Sequence, residues 1–399
     1  MACSEDRKKV AANPTEAGLL VKEEAYHTRV GYSPRSNAVV EPRISTQWFV
    51  SMKPLAKPAL DQVTSGAIRI HPGEKFMATY KYWLENVKDW CISRQLWWGQ
   101  RIPAWYDGNG NFVVAENETE ALAAYKKEFG ELQAGQILSQ DADVLDTWFS
   151  SWLCPMEVFR GITEPGNPDF NYYYPTSVLV TGQDIIFFWV ARMIMAGMEF
   201  KKQKPFPDVY FTGMVRDKLG RKMSKSLGNS PDLLQLIDKY GADAVRFGIL
   251  ISSPAGNDLL FDEAGLEQGR NFNNKLWNAL KLVKMWETKL EEPAIKNESG
   301  SEGSKEAQTH FAVQWFSNRL EQAKSDIQKL IAEFKLSEAL KNLYSLIWDD
   351  FCSWYLEWVK PGFGQPLPAS VYSKTISFFD ELLLCLHPFM PFVTEEIYH

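Results

Sequence analysis

The chain has 399 residues, of which 45% are hydrophobic and 14% aromatic, so it can form packed cores and is not an intrinsically disordered protein. Its formal net charge of −7 excludes an overall basic field, so any contact with nucleic acid has to come from local basic patches. Five widely spaced cysteines without a CxxC pair argue against a structural zinc site, and the lack of a signal peptide or a membrane-length apolar run predicts a cytoplasmic protein.

The first 130 residues predict mixed, turn-rich structure with few regular elements. Residues 1–70 contain only short strand-like pieces, and Lys75–Val87 has the apolar spacing of a helix. The letters "DGNG", Asp107–Gly110, stand between two apolar runs and predict a β-hairpin. Glu116–Phe129 has the pattern of an amphipathic surface helix.

Alternating strand and helix patterns follow and predict a parallel α/β sheet. The order is a strand "SVLVTG", a helix "DIIFFWVARMIMAGMEF", a strand "DVYFTGMV", a basic loop and a helix "PDLLQLIDKYGADAVRFGIL". Gly182 and Gly213 each end one of these strands. Because open parallel sheets bind their ligands beyond the carboxyl ends of the strands, we expect the site there.

From Asn271 onward the pattern is that of helices alone. One apolar series at helical spacing runs from Phe316 to Phe334, and a second runs from Leu340 to Trp358 after a break near Lys335–Leu336. Two long helices with one apolar face each predict a helical bundle. Lys296–Gln308 is polar and rich in glycine and serine, so we expect a loop there.

The basic loop, Arg216–Asn229, is the most specific feature of the sequence. Between Arg216 and Lys225 it carries five basic side chains and a single acid, Asp217. Lysines beside the serine hydroxyls are suited to phosphate oxygens, although a solvated basic turn would be the default interpretation. The five letters "KMSKS", Lys222–Ser226, change that balance, because their chance occurrence in a chain of this length is about one in ten thousand.

These letters after an α/β strand resemble the ATP-binding signature of the class I aminoacyl-tRNA synthetases. The resemblance implies that Lys225 stabilises the pyrophosphate side of the transition state in amino-acid activation and that Lys222 and Ser224 shape the loop. It also implies that the whole signature contacts ATP. The residues in that signature are Lys222, Met223, Ser224, Lys225 and Ser226.

Further blocks extend the resemblance over nearly the whole chain. "WCISRQLWWGQRIPAWY", "DVLDTWFSS" and "VTGQDIIFFWVARM" occur in the family's order, and "SPAGNDLLFDE" and "HPFMPFVTEEIY" are similar to the valine-specific branch. The resemblance implies ATP-dependent activation of valine and its transfer to tRNA(Val), with Mg²⁺ accompanying ATP, in a monomer. The alternatives are a non-catalytic RNA-binding module with the same architecture and the isoleucine-specific branch.

The family's amino-acid pocket maps onto two of these blocks. The resemblance implies that Trp148, Asp184, Ile185 and Trp189 bind the aliphatic substrate, because rigid aromatic walls can measure a branched side chain. Without the resemblance, ordinary core packing would be the preferred interpretation of the two tryptophans.

Other polar and aromatic residues are weaker candidates. Arg94, Arg101, Trp97, Trp98 and Trp105 interleave bases with aromatic rings, which fits either a grip on single-stranded RNA or a tryptophan-rich core. Asp143 and Asp146 are predicted to have strand-end or capping roles, and no histidine pair has metal spacing. For contact with the tRNA backbone the candidates in the bundle are Arg270, Asn274 and Lys275.

The predicted fold class is therefore α/β plus all-α. The resemblance implies the tail of an editing insertion and a linker in residues 1–50. It implies the second half of a Rossmann-like class I catalytic domain in residues 51–269 and a helical anticodon-binding domain in residues 270–399. The family's HxGH signature does not occur in the sequence. We therefore expect a fragment that lacks this half of the catalytic domain and most of the editing domain, and we expect the isolated chain to be inactive.

Overall fold

A computed structural model shows an α/β part followed by an α-helical part, as the sequence predicts. The described residues are 10, 12–22, 24–27, 29–33, 36–40, 44–133, 135–224, 227–291, 303–362 and 365–399. Among the described residues, no strand lies before Phe49.

Helices and short strands alternate up to residue 260, and helices predominate after it. The helical segments are Lys53–Thr64, Gly73–Glu85, Glu118–Phe129, Thr147–Ser151, Cys154–Glu157, Pro168–Tyr173, Gln183–Ile185, Ile186–Ala191, Arg192–Ala196, Gly197–Lys201, Leu233–Tyr240, Ala242–Ile251, Glu263–Glu287, Gly303–Ala332, Leu336–Ser345, Leu346–Tyr355, Leu356–Val359, Ala369–Leu386 and Pro391–Tyr398. The strands are Phe49–Val50, Arg69–His71, Trp90–Cys91, Ser93–Arg94, Ala104–Tyr106, Phe112–Val114, Ser139–Gln140, Val144–Leu145, Val178–Gly182, Asp208–Thr212, Val215–Arg216, Leu259–Leu260, Leu290–Glu291 and Leu367–Pro368.

A three-stranded parallel sheet forms the centre of the α/β part. Asp208–Thr212 is its middle strand and pairs with Arg69–His71 on one side and Val178–Gly182 on the other. Thr212 lies opposite Gly182, so the two predicted strands end at the same edge of the sheet. This arrangement confirms both predicted strands and their parallel pairing.

The helix predicted after the first of these strands is present with an irregular backbone. Gln183–Lys201, which we call the aromatic helical segment, is helical throughout. Its hydrogen bonding is of the π type in Ile186–Ala191 and Gly197–Lys201. Val190, Ile194 and other side chains of this segment are fully buried in the α/β core. The hydrophobic pattern predicts the burial but carries no signal for the wider turns.

The single helix predicted over Pro231–Leu250 is wrong, because two helices occupy this region. Leu233–Tyr240 ends at Gly241, whose N–H donates to the carbonyl of Ile237 at 2.8 Å. Gly241 has a φ of +91°, which no helix interior accommodates. The chain therefore turns there before Ala242–Ile251 begins.

The smaller predicted elements of the α/β part are confirmed. Ala104–Tyr106 and Phe112–Val114 pair antiparallel around the predicted glycine turn. The helix Glu118–Phe129 follows, with the Asn117 side chain accepting the Glu120 N–H as its cap. Asp107 connects the turn to this helix by accepting the Tyr125 hydroxyl, and this hydrogen bond contributes most to lowering the pKa of Asp107 to about 2.

The helical bundle has one continuous apolar core. Phe316, Phe351, Tyr355 and Phe378 are buried side chains at its centre, with ring centroids 5.0–5.6 Å apart where they touch. The predicted break between the two long helices is confirmed at Phe334, whose φ is +58°. Of the predicted loop at 296–308, residues 296–302 lie outside the described residues, and a helix occupies the rest.

The two parts share one helix. Glu263–Glu287 crosses the predicted division at residue 269, and its apolar face continues into the bundle core. Asp243 and Arg246 add polar contacts from the α/β part. The Asp243 carboxylate accepts the N–H groups of Phe392 and Val393, and Arg246 donates to the carbonyl of Phe389.

Candidate functional site

The basic loop begins as a tight hairpin at the end of the sheet. Arg216 and Lys222 form an antiparallel β-bridge across the hairpin. The Met223 N–H donates to the carbonyl of Val215 at 3.2 Å. The turn closes where the Gly220 N–H donates to the carbonyl of Asp217 at 2.9 Å, and Gly220 has a φ of +75°. The first lysine of the signature therefore lies on the returning arm of a hairpin, not on a free coil.

Asp217, the only acid among the basic residues of the loop, organises the hairpin from inside. One carboxylate oxygen accepts the N–H groups of Leu219 and Arg221, and the other accepts Arg221 Nε and Asn229 Nδ2, all at 2.8–3.0 Å. The amide of Asn229 contributes most to lowering the pKa of Asp217 to about 2, followed by donors from Arg221 and Leu219. The loop is therefore held by a charged carboxylate.

Asn229 closes the second half of the loop. Its side-chain oxygen accepts the Ser224 N–H at 2.9 Å while its amide donates to Asp217. Gly228, with a φ of +62°, makes the preceding turn. Lys225 and Ser226 lie outside the described residues, so their predicted roles stay predictions. Asn229 was not among the residues predicted from the sequence, although an asparagine after glycine at a loop end is a recognisable turn signal.

The loop reaches the aromatic helical segment through an ion pair. Lys222 Nζ lies 2.8 Å from a carboxylate oxygen of Asp184, and both side chains are about half exposed. Asp184 is in the first turn of the segment, directly before Ile185. Lys222, which is predicted to bind ATP, thus contacts Asp184, which is predicted to bind the amino acid. The two predicted sites therefore lie side by side.

Trp148 and Trp189 lie on neighbouring helices of the α/β part. The Trp189 indole N–H donates to the carbonyl of Ser151 at 3.0 Å, and the Trp148 ring stacks on Phe188 with centroids 6.1 Å apart. We call Trp148, Phe188 and Trp189 the aromatic wall. Trp148 and Trp189 pack against the core and each leaves part of its ring exposed, so their predicted contact with the substrate stays a prediction.

Asp146 fixes the position of Trp148. It caps the helix Thr147–Ser151 by accepting the Trp148 N–H, and its other oxygen accepts Trp90 Nε1 at 3.0 Å and an Arg94 guanidinium N–H at 2.7 Å. The predicted capping role of Asp146 is confirmed. Arg94 is therefore occupied within the protein.

A buried arginine, which the sequence analysis missed, lies behind the wall. The Arg192 guanidinium carbon is 3.4 Å from the centroid of the Trp90 ring, and the side chain is 4% exposed. Its Nε and one terminal nitrogen have no hydrogen-bond partner within the described part of the chain. Burial lowers the pKa of Arg192 to about 10. In the sequence this residue is only an arginine within an apolar helix pattern. That pattern does not indicate that its side chain is buried against a tryptophan ring.

The tryptophans of "QLWWGQRIPAWY" divide between two environments. Trp105 is partly buried and donates to the carbonyl of Ala115, as the core interpretation predicts. Trp97 and Trp98 are 107% and 92% exposed, so the core interpretation is wrong for them. Arg101 is exposed and donates to the carbonyls of Asp141 and Gln140. A grip on RNA by the exposed pair remains a prediction.

The three candidate tRNA contacts lie on the shared helix Glu263–Glu287. Arg270 pairs with Glu267 at 2.9 Å, and Lys275 Nζ lies 5.2 Å from the centroid of the Trp348 ring. Asn274 is exposed one turn after Arg270. They share a stretch of helix, and two of them already have partners within the protein.

Neither a metal cluster nor a membrane span is found in the described ranges. No group of three His, Cys, Asp or Glu side chains is arranged to hold a metal ion there. No helix there is long and apolar enough to cross a bilayer. His71 instead bonds Asp208 at 2.8 Å and stacks on Phe334.

Comparison with protein families gives two matches. Residues 7–262 match the model described as tRNA synthetases class I (I, L, M and V), and residues 313–399 match the anticodon-binding domain of tRNA ligase. The first match contains the basic loop and the aromatic wall, and the second contains most of the bundle. Arg270, Asn274 and Lys275 lie between the two matched ranges.

The curated relatives that match the chain include valine–tRNA ligases. That of Bacteroides fragilis is 56% identical over 393 residues, which are 98% of this chain and 44% of the relative. That of Porphyromonas gingivalis is 54% identical over 394 residues, with 98% and 44% covered. That of Chlorobaculum tepidum is 47% identical over 402 residues, with 98% and 43% covered. The chain spans less than half the length of these relatives.

Solved structures of similar fold have low sequence identity. Mycobacterium tuberculosis methionyl-tRNA synthetase bound by methionyl-adenylate gives a TM-score of 0.63 at 16% identity, covering 92% of this chain and 65% of that one. The LeuRS of Agrobacterium radiobacter in a ternary complex with tRNA and LeuAMS gives 0.59 at 19% identity, covering 82% and 44%. At these identities the likeness concerns the fold alone.

Proposed function

The chain belongs to the class I tRNA synthetases, and we propose that it supplies the basic loop and the amino-acid pocket of a valine–tRNA ligase. Such an enzyme joins valine to ATP with release of pyrophosphate, and then transfers the valyl group to the terminal ribose of tRNA(Val). The observation that carries the proposal is the 56% identity over 393 residues to the Bacteroides fragilis valine–tRNA ligase. That length includes the basic loop and the aromatic wall alike.

In this proposal the basic loop binds the phosphates of ATP. Lys222 is held by Asp184, and the Ser224 N–H is held by Asn229, so both residues give the loop its shape. Lys225 provides the cation at the leaving pyrophosphate, where negative charge develops in the transition state. Met223 and Ser226 complete the ATP-binding set.

We assign Mg²⁺ to the ATP phosphates and not to a site built by the protein. The described residues include no group of three carboxylate, imidazole or thiol side chains that fits a metal ion. ATP commonly brings its own Mg²⁺, which keeps several waters and uses phosphate oxygens as ligands.

The amino-acid side chain is assigned to the aromatic wall. The Trp189 ring is anchored by its indole N–H, which donates to the carbonyl of Ser151. The Trp148 backbone N–H donates to the Asp146 carboxylate, and the Trp148 ring stacks on Phe188. Ile185, in the first turn of the aromatic helical segment, adds an aliphatic contact. A pocket of this kind excludes a larger side chain by volume but discriminates against an added hydroxyl by only about 10²-fold. We therefore expect threonine to be activated at a low rate.

We assign tRNA(Val) to the helical part and to exposed groups beside the α/β core. Arg270, Asn274 and Lys275 would contact the sugar–phosphate backbone, which positions an RNA without reading its sequence. The exposed Trp97 and Trp98 would stack on unpaired bases. We propose that the protein binds these ligands as a monomer in the cytoplasm.

A hybrid enzyme tests the proposal. Residues 7–399 of this chain replace the matched segment of the Bacteroides fragilis valine–tRNA ligase, and ATP–pyrophosphate exchange is measured with valine, isoleucine and threonine. We expect valine-dependent exchange within about tenfold of the unmodified relative, less with threonine and none with isoleucine. A soluble, folded hybrid without valine-dependent exchange would contradict the proposal.

The isolated chain provides the matched comparison. It contains the basic loop but no HxGH signature, so we expect no valine-dependent exchange from it under the same conditions. Exchange by the isolated chain near the rate of the hybrid would show that the ATP site is complete within the described fold.

A further inference from the structure

Asp258 lies beside the root of the basic loop and joins three segments of the chain. Its Oδ1 accepts the Met214 N–H at 2.9 Å and Gln183 Nε2 at 3.0 Å. Its Oδ2 accepts the Arg216 guanidinium. The Met214 N–H and Arg216 lower the pKa of Asp258, so the acceptor is the charged carboxylate. Asp258 lies within the block "SPAGNDLLFDE", but neither the family resemblance nor the sequence pattern assigns it a role.

The backbone around Asp258 is fixed against the strand that leads into the loop. The Gly256 N–H donates to the carbonyl of Phe211 at 3.0 Å, and the Leu259 N–H donates to that of Met214 at 2.9 Å. A Cβ atom at Gly213 would lie 1.6 Å from the carbonyl oxygen of Asn257. Because the two backbones approach this closely, the carboxylate has a fixed starting point.

The other partner of Asp258 begins the aromatic helical segment. Gln183 directly precedes Asp184, which pairs with Lys222 of the basic loop. The loop and the aromatic helical segment are thus linked twice, by Asp258 at the root of the loop and by the Lys222–Asp184 pair farther along it. The pair is about half exposed, whereas the Asp258 side chain is 26% exposed, so solvent weakens the pair more.

We propose that Asp258 is a positioning residue that fixes the root of the basic loop relative to the start of the aromatic helical segment. Its consequence for valine activation rests on the proposed function. A loop that carries the leaving-group cation must keep its distance from the amino-acid pocket, and a shift of about 1 Å affects the chemical step more than ligand binding.

Limited trypsin digestion of the 399-residue chain tests the positioning role without reference to the reaction. The basic loop contains several trypsin sites, and cleavage requires local opening. We expect Asp258→Ala to increase cleavage within the loop about tenfold, because hydrogen bonds to a charged group are lost from both neighbouring segments. Asp258→Asn should give a smaller increase, and Asp238→Ala, an exposed acid on the helix Leu233–Tyr240, should give none. Unchanged cleavage in a folded Asp258→Ala chain would overturn the proposal.

The hybrid enzyme then tests the consequence for the reaction. We expect Asp258→Asn to lower kcat of valine-dependent exchange about tenfold while the KM for valine changes less than about twofold, with partial rescue by Asp258→Glu. A change confined to KM, or no change, would overturn the positioning role in catalysis. An inactive wild-type hybrid would instead count against the proposed function, while the trypsin result still decides whether Asp258 holds the loop.

Discussion

The helical bundle and the basic loop are held in place by opposite means. The bundle core consists of fully buried aromatic and aliphatic side chains such as Phe316 and Phe351, each touching several others. The loop is exposed and charged, and a few polar groups, mainly Asp217, Asn229 and Asp258, make the hydrogen bonds that order it. Stability is therefore distributed over the bundle, whereas the geometry of the site depends on single residues.

Deleting a side chain from each region should give the largest contrast. Phe316 is 0% exposed and contacts Phe351, Tyr355 and Phe378, so Phe316→Ala should destabilise the bundle by about 3–5 kcal/mol. Lys222→Ala removes only a half-exposed ion pair and should change stability by less than about 1 kcal/mol. Urea midpoints measured by circular dichroism would compare them. Similar midpoints for the two variants would contradict the contrast.

A backbone substitution at Gly213 should give an intermediate effect on the loop side. The added Cβ of Gly213→Ala would overlap the carbonyl of Asn257, so one of the two backbones must move. We expect the free energy of unfolding to decrease by about 1–3 kcal/mol. The backbone amides of Met214 and Leu259 should also exchange hydrogen faster. Gly73→Ala, with nothing within 4 Å of its Cβ, is the matched control. Wild-type exchange in Gly213→Ala would show that the loop root is more tolerant than its contacts indicate.

The contact between the two parts at Phe334 should give a smaller effect. Phe334 has a φ of +58° and stacks on His71 at 4.1 Å, so it combines an unfavourable backbone with an aromatic contact between the parts. Phe334→Gly loses the contact but relieves the backbone, whereas Phe334→Ala only loses the contact. We expect the glycine variant to be about 1 kcal/mol more stable than the alanine variant. Thermal unfolding would decide, and the reverse order would refute the explanation.

The pH dependence of the basic loop should give the smallest effect. The pKa of Asp217 is about 2 in the folded chain and below its ordinary value of 3.8, so its stabilising contribution is complete above pH 3.8. It is lost as the pH falls toward 2. Carboxyl carbon NMR of labelled aspartate should show a titration midpoint of Asp217 near pH 2. Asn229→Ala should raise that midpoint, because the hydrogen bond from the Asn229 amide is the largest cause of the lowered pKa. A midpoint near 3.8 in the wild type would contradict the hydrogen-bond assignment.

The same contrast separates what the sequence predicts from what it does not. Apolar residues at helical spacing predict the bundle and its break at Phe334, because burial follows local periodicity. Strand–helix alternation predicts the parallel sheet for the same reason. The five-letter signature predicts where the loop lies. Gly241, by contrast, interrupts a continuous apolar pattern, and only its φ of +91° reveals the break.

The polar contacts of the site could not be predicted from local pattern. Asp258 and Gln183 are 75 positions apart, and Lys222 and Asp184 are 38 apart, so only the folded chain brings them together. Large aromatic side chains are typical of a protein core, yet those of Trp97 and Trp98 are exposed. Residues whose role depends on a distant partner therefore need the structure, whereas residues that act through a local motif do not.

We propose that the basic loop stabilises the leaving pyrophosphate while the aromatic wall binds the amino acid. The most direct test of these two roles is the single-turnover rate of valyl-adenylate formation by the hybrid enzyme carrying Lys225→Ala, measured beside its dissociation constant for valine. Lys218→Ala, which removes another exposed lysine of the same loop, is the control. We predict a rate about 10²–10³-fold lower for Lys225→Ala with valine affinity unchanged within about threefold. An unchanged rate with weakened valine binding would contradict the account.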